Sequence, residues 1–492
     1  MISSSIFLAV LPLVAQAAND WSKPCLQGIC SYDVAQSTTS MPGSMTITGS
    51  TNAISDITTA AGWEIMSCDP NTESSDIRLV CRSTDTSAAG CDHLYQNGAE
   101  NTIVRLPQNC LKVPFARVAR AWVPEDQSIP SSVAKRLVSR GGKAAPQVKA
   151  LSLDTNWKAA TGKHDGSITL AVIASSVPGA HGDATLTAVS AQRRSRMFER
   201  RGFADSFNNT LSKALPPIDI SKAFPIFSTT LPCAGTTTKI DISANAKAHA
   251  QISLGVVAAG TLVPPVMTEI ATYTGLTANL DGTLTVNADL TGTFDSGQIT
   301  LFQLGLPGLD IPKILTIGPE FKLNAQATAT IDVNVNMNID LSYDVNNLKL
   351  FFPPVKGQVS NGVLNPKDTP LKLAVTPSVS SKGVVQAHII PTVDLGVSAL
   401  GDIVSATIFL NVDTNAALTL TLDANAQATA ATNGKAAVSG SVNGCVDIAG
   451  GVAASAGAKG SFFDLFNDQT IVPIFSQNFD IFQVCYTSPH DF

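Results

Sequence analysis

The sequence predicts a mainly β protein, in which a small disulfide-rich N-terminal β domain precedes a large antiparallel C-terminal domain. Three observations support this class. Long segments alternate apolar and polar residues, six of the nine cysteines lie within the first 110 residues, and only 14% of the 492 residues are charged. Because a strand with one buried face alternates in this way, we expect the C-terminal domain to be a β-sandwich or an extended sheet of long alternating strands.

The longest alternating run covers residues 325–345, where every odd position is apolar and every even position is polar. A single strand of this length would extend about 65–70 Å. Similar runs cover residues 240–254, 276–294 and 418–430, with Pro-rich crossings at 263–265, 306–312 and 351–354. These segments predict a set of long, half-buried antiparallel strands.

Burial of one face between packed sheets explains the alternation, but the pattern also suits two other structures. A sheet could leave its apolar face open as a lipid groove, or the strands could contact a membrane directly. Many of the inward positions are alanines, which let two sheets approach closely and make a poor lipid-facing surface. The sandwich is therefore preferred, and a lipid- or membrane-binding β protein is the alternative.

Cysteine usage predicts disulfides and an oxidising compartment. The six N-terminal cysteines allow 15 pairings, and spacing does not choose among them. Cys445 and Cys485 are expected to pair, whereas Cys233 is either unpaired or bonded into the N-terminal set. No CxxC motif occurs and histidines are few, so we expect no metal site and no cofactor. The N-terminal cysteines are Cys25, Cys30, Cys68, Cys81, Cys91 and Cys110.

Charge divides the chain near residue 201. Residues 1–201 carry 19 Lys+Arg against 16 Asp+Glu, whereas residues 202–492 carry 13 against 22, and Arg201 is the last arginine. This break predicts separate domains. The expected segments are a disulfide-rich domain at 19–125, a basic linker at 126–148, a β segment at 149–190, a dibasic linker with a short helix at 191–216, and a large β domain at 217–488.

The first 18 residues predict a secretory signal peptide, because a short apolar core precedes Ala15-Gln16-Ala17. No later run reaches the ~18 apolar residues of a membrane helix, so we expect no integral membrane span. The net charge of −6 argues against a nucleic-acid partner. The expected location is extracellular or within a cell wall.

The junction between the two halves carries signals for modification. Dibasic pairs end at Arg194 and Arg201 and predict cleavage by a secretory-pathway protease, and Asn208 begins a glycosylation sequon. Apolar residues every four positions predict a helix over 203–215, and a second helical turn is expected over 112–122.

Motifs for catalysis are scarce. No HExxH, G-x-S-x-G, P-loop or dinucleotide-binding motif occurs. His164-Asp165 and His181-Gly182-Asp183 pair histidine with carboxylate, but both stand in turn-forming sequence. A hydrolase with an unrecognised site is therefore a second alternative. Carbohydrate binding is favoured over catalysis if the rings of Trp21, Trp63 and Trp122 are exposed, because flat sugar faces stack on aromatic rings.

A further set of segments is informative: residues 53–58, 62–63, 76–81, 90–95, 114–119 and 122–126, then Ile317-Gly318-Pro319 and the segment from Cys445 to Cys485. The N-terminal segments resemble uncharacterised secreted proteins of basidiomycete fungi, and the second half is similar to a fungal extracellular β domain of unknown function. The resemblance carries no catalytic residues, and it suits processing of the dibasic junction by a kexin-like protease.

Together these observations predict a secreted, non-catalytic glycoprotein that is extracellular or associated with a cell wall and has a binding or structural role. A cell-wall polysaccharide is the expected partner, and lipid is the alternative.

Overall fold

The computed structural model describes residues 19–137, 146–160, 166–176, 215–233, 236–288, 292–331, 335–352, 363–366, 371–375, 381–401, 403–422, 428–432, 436–438, 444–460 and 471–486. Several predictions lie outside these residues: the signal peptide 1–18, Arg194, Arg201, Asn208, most of the helix 203–215, and the histidine–carboxylate pairs at 164–165 and 181–183.

The described residues are mainly strands, as predicted. The N-terminal part contains β1 (Ile29–Val34), β2 (Gly43–Thr48), β3 (Ile54–Asp56), β4 (Trp63–Ser67), β5 (Ser75–Cys81), β6 (Ile103–Arg105), β7 (Phe115–Trp122), β8 (Val148–Asp154) and β9 (Ile168–Ser175). The described helices are short: α1 (Thr86–Ala89), α2 (Ser131–Ala134) and 3-10 turns at Thr59–Ala61, Cys91–Tyr95 and Trp157–Ala159.

The C-terminal part continues with longer strands. These are β10 (Ile218–Cys233), β11 (Thr236–Val263), β12 (Val266–Ala288), β13 (Gly292–Asp295), β14 (Ile299–Gly305), β15 (Leu309–Ile311), β16 (Leu315–Ile331), β17 (Val335–Phe352), β18 (Val363–Pro366), β19 (Leu371–Val375), β20 (Ser381–Ala399), β21 (Val404–Leu422), β22 (Ala428–Thr432), β23 (Ala436–Val438), β24 (Gly444–Gly460) and β25 (Ile471–Tyr486).

A six-stranded sheet, ordered β3-β6-β7-β8-β5-β4, forms the N-terminal region. The predicted helical turn over 112–122 is wrong, because residues 115–122 form β7 inside this sheet. Phe115 packs into one hydrophobic core, whereas Ala116 and Val118 pack into another. A strand that is buried on both faces shows no alternation of apolar and polar residues. The apolar residues of β7 therefore matched the spacing expected for one face of a helix.

The long strands form two further sheets. One has eleven strands, ordered β1-β2-β9-β11-β12-β17-β19-β22-β23, with β10 beside β11 and β18 beside β17. The other has eight strands, ordered β13-β16-β20-β21-β24-β25, with β14 and β15 also paired to β16. Their apolar faces share one core, which includes Leu254, Leu276, Ala327, Leu395 and Leu410. One-faced burial between two sheets therefore accounts for the alternation.

The longest alternating run is not one strand. Its first part lies in β16 of the eight-stranded sheet, and its second part lies in β17 of the eleven-stranded sheet. The run from 276 to 294 likewise divides between β12 and β13. The alternation keeps its phase from one sheet to the other, and Ala325, Ala327 and Ala329 of β16 lie in the same core as Val345 of β17. The run is therefore divided between two strands, and its described apolar residues are buried as predicted.

The sheets cross the predicted domain boundaries. β1, β2 and β9 come from the N-terminal half, yet they extend the eleven-stranded sheet, and β9 pairs with β11. The expected β segment at 149–190 also divides, because β8 joins the six-stranded sheet. The composition break at 201 therefore separates two halves that share a sheet and a core.

The described part of the expected linker 126–148 packs against the N-terminal sheet. Val133 of α2 is buried, and Arg136 Nε lies 2.9 Å from Oε2 of the buried Glu64. Arg78 Nη1 lies 2.8 Å from Asp126 Oδ2. This segment is therefore attached to the domain along the part that the structure describes.

Candidate functional site

A groove of about 310 Å³ lies on the outer face of the eleven-stranded sheet, across β10, β11 and β12. We call it the His249 groove. It is lined by Asp219, Ile220, Ser221, Lys247, Ala248, His249, Asn279 and Asp281. The lining contains carboxylate, ammonium, imidazole, hydroxyl and carboxamide groups.

Strand register brings these side chains together. Across four neighbouring strands, Asp219, His249, Asn279 and Asp344 stand opposite one another in a row. Ser221, Lys247 and Asp281 form the next row on the same face. Residues directly opposite in antiparallel strands share a face, and alternation directs these polar residues away from the core. Groups far apart in the sequence thus converge on one surface.

Two cross-strand contacts order the first row. Nδ1 of His249 lies 2.7 Å from Oδ1 of Asp219. Nδ2 of Asn279 donates a hydrogen bond to Oδ1 of Asp344 at 2.6 Å. The side chains of His249 and Asp219 are 44% and 74% exposed, so both can contact a ligand from solvent.

The groove is better suited to binding than to acyl transfer. Ser221 lies beside the pair of His249 and Asp219. Serine, histidine and aspartate are the three residue types of a serine hydrolase. However, Ser221 stands opposite Lys247, in the row beside the histidine–aspartate pair rather than within it. What the face offers is a set of hydrogen-bond donors and acceptors on a rigid sheet.

A second serine–histidine contact is internal to the N-terminal region. Oγ of Ser55 lies 3.0 Å from Nδ1 of His93, but Ser55 is buried on β3. Because a substrate cannot reach a buried hydroxyl, this contact joins β3 to the 3-10 turn at Cys91–Tyr95 and provides no nucleophile.

The three tryptophans proposed for ligand binding differ in their surroundings. Trp63 is only 2% exposed and packs 6.3 Å from the ring of Tyr95, so including it among the ligand-binding residues was wrong. Trp21 and Trp122 are half-buried. Their rings lie 5.3 Å from Cζ of Arg105 and 4.8 Å from Cζ of Arg120, respectively. Each of these two rings is thus engaged by a guanidinium of its own chain.

The N-terminal cysteines form three disulfides among the 15 possible pairings. The bonds are Cys25–Cys30, Cys68–Cys110 and Cys81–Cys91. Cys445 is also disulfide-bonded, and the register of β24 and β25 places it opposite Cys485. Cys233 ends β10, and its thiol lies outside the described side chains.

Sequence reasoning did not find the His249 groove. Its residues carry no motif, and they come from three strands whose register depends on long-range pairing. The available signal was weak: outward polar positions in two alternating runs joined by the short Pro264-Pro265 turn between β11 and β12.

Comparison with protein families finds a match to the C-terminal part of the chain. A domain of unknown function, DUF7223, matches residues 218–487, which is more than half of the chain. The protein therefore belongs to this family. The match begins at the first residue of β10 and ends just after β25.

No curated protein and no solved structure matches the chain. No helix among the described residues is long and apolar enough to cross a membrane. In the described part of the chain, no group of three or more potential metal ligands comes together.

Proposed function

We propose that the protein is a secreted, non-catalytic glycoprotein of fungal type that binds cell-wall polysaccharide through the His249 groove. The observation that carries this proposal is the row of polar side chains across β10, β11, β12 and β17. It offers solvent-facing hydrogen-bond donors and acceptors on one rigid face. A polysaccharide presents hydroxyl groups along an extended chain, which such a row can match.

The composition of the groove favours amino sugars within this class. No Phe, Tyr or Trp lines the described groove, so affinity comes from hydrogen bonds and charge rather than from ring stacking. Asp219, Asp281 and the neighbouring Asp344 place three carboxylates around His249 and Lys247. Because hydrogen bonds to charged groups are stronger than neutral ones, an ammonium-bearing sugar gains most from this surface.

Binding can be tested by co-sedimentation of the secreted protein with chitin, with its deacetylated form chitosan, and with insoluble β-glucan. We expect retention on chitosan above that on β-glucan. His249→Ala removes an exposed imidazole and Asp219→Asn removes an exposed negative charge. We expect about tenfold weaker retention in each case, because a charge-assisted hydrogen bond of about 1.5 kcal/mol is lost.

The matched control is Ser31→Ala, which removes an exposed hydroxyl from β1 at the edge of the same sheet. It should bind as the wild type does. Equal retention of wild type and both groove variants on every polysaccharide would refute the groove as the binding site.

A further inference from the structure

The outer face of the opposite sheet carries a second polar row. Across β16, β20, β21, β24 and β25, the register aligns Gln326, His388, Asn415, Gly451 and Asn478. We call this the His388 row. Its side chains alternate with buried neighbours such as Ala327, Ala387 and Val452, so they lie on the outer face of the eight-stranded sheet.

Contacts order the His388 row as they order the groove. Nδ1 of His388 lies 2.9 Å from Oδ1 and 3.2 Å from Oδ2 of Asp413, which stands on the neighbouring strand. Nε2 of Gln326 donates to Oδ1 of Asp295 at 3.0 Å. The side chains of His388 and Asp413 are 22% and 35% exposed, so the pair remains accessible to solvent.

A glycine makes room for the far end of the row. A Cβ at Gly451 would lie 2.8 Å from Oδ1 of Asn415 and 2.9 Å from Oδ1 of Asn478. The two carboxamides therefore approach across the strand between them because that position carries no side chain. This extends the set of hydrogen-bonding groups beyond His388 over three further strands.

The two rows share their chemistry and face away from each other. Each has a histidine paired with an aspartate of a neighbouring strand, and a carboxamide stands opposite the histidine on the other side, Asn279 in the groove and Gln326 in the row. The hydrophobic core lies between the two sheets. A straight sugar chain lying along one face is therefore held away from the other face by the thickness of the sandwich, ~10 Å between sheets.

We propose that the His388 row is a second binding site for the same class of sugar chain, so that one molecule cross-links two chains. This inference rests on the proposed function of the His249 groove. Charge supports the choice of ligand, because Asp295 and Asp413 flank the single imidazole of the row. Residues 202–492 as a whole carry nine more acidic than basic residues.

The test uses soluble chitosan as the polymer and a short glucosamine oligomer as the single-site probe. Titration of the full-length secreted protein with the oligomer should give two sites per molecule. Mixing with the polymer should raise turbidity, which free oligomer then reverses. His249→Ala and His388→Ala should each weaken one of the two sites about tenfold and abolish turbidity, while the other site keeps its affinity.

Asn478→Arg provides a second route to the same result without disturbing the His388–Asp413 pair. Asn478 is exposed on β25, so the added cation opposes an ammonium-bearing ligand and leaves the core unchanged. We expect this variant to lose turbidity as His388→Ala does, with an unchanged unfolding midpoint.

The possible outcomes distinguish failure of the second site from failure of the function proposed for the His249 groove. One site per wild-type molecule, lost in His249→Ala, would overturn the second site and leave the proposed function standing. Turbidity that persists in both His388→Ala and Asn478→Arg would also overturn the second site. An absence of any binding by the wild type would overturn both proposals.

Discussion

Asp56 is the residue on which much of the N-terminal packing depends. It is fully buried and lies 2.6 Å from Nη2 of Arg105, which is itself nearly buried. It also accepts backbone hydrogen bonds from Cys25 at 3.0 Å and Thr58 at 2.7 Å. One carboxylate therefore joins β3, β6 and the first disulfide.

Asp56→Ala should destabilise the protein by about 3–5 kcal/mol, because it leaves the Arg105 guanidinium buried without its counter-charge. Urea denaturation followed by fluorescence measures the change. Asp20→Asn is the control, since Asp20 pairs with Lys23 only at the exposed surface, and it should change the free energy of unfolding little. A loss below 1 kcal/mol for Asp56→Ala would contradict this account.

His388 should make stability depend on pH. The hydrogen bond and charge of Asp413 raise the pKa of His388 above its usual 6.5, against the opposing effect of burial, and the more distant Asp295 acts in the same direction. A pKa raised by folding stabilises the native state fully below the unfolded value, and this stabilisation is lost as pH rises through the folded value.

Unfolding free energies of wild type and His388→Gln, measured by urea denaturation from about pH 5 to pH 9, test this sign. Wild type should be the more stable at the acidic end, and the difference should shrink as pH rises above the unfolded pKa of about 6.5. A difference that grew with pH would mean that the neutral imidazole is the favoured form.

At the scale of elements, each long strand has a packed side and a solvent side. On β16, Ala327 is fully buried against the opposite sheet, whereas Thr328 points outward and is half-buried. The small residue sets how closely the two sheets approach there, since close-packed cores have little spare volume.

Ala327→Leu should therefore cost about 1–3 kcal/mol through overpacking, while Thr328→Leu on the outer side should change stability by less than about 0.5 kcal/mol. Thermal unfolding of both variants is the measurement. Equal costs for the two substitutions would show that the sheets are not packed face to face at this position.

The buried sides of the strands could be predicted from sequence, but their sheets could not. Alternation shows which face of a strand is apolar, and it predicts that Ala325, Ala327 and Ala329 face inward. It carries no mark where the chain passes from β16 to β17, because the phase is unchanged there. The groove was likewise not predicted, since the contact between Asp219 and His249 depends on the register of the β10–β11 hairpin, which shifts by one residue at the bulge between Pro225 and Phe227.

At the scale of the molecule, hydrogen bonds join the two halves of the chain in addition to the peptide link near residue 201. Nε1 of Trp157 donates to the carbonyl oxygen of Lys313 at 3.0 Å. The N–H of Met41 donates to the carbonyl oxygen of Gly308 at 2.7 Å, and the N–H of Gly308 donates to that of Thr39. Together with the β9–β11 pairing, these contacts cross the composition break at 201.

Cleavage at Arg201 should therefore leave the halves associated. After limited digestion at the dibasic pairs that end at Arg194 and Arg201, we expect two main bands on a denaturing gel and one peak of unchanged volume in size exclusion. Trp157→Ala should weaken the association by removing a buried ring and its hydrogen bond. Separate elution of wild-type fragments in native buffer would contradict the prediction.

The position of β9 also constrains the order of events during biosynthesis. This strand is translated before β11, and until β11 arrives its apolar sequence has one unpaired edge, the kind of surface that promotes aggregation. A cut made before β11 pairs would turn an intramolecular step into a concentration-dependent encounter between two fragments. If the dibasic junction is cut as the sequence predicts, folding must therefore come first and proteolysis second, and the protease would meet a molecule that is already folded.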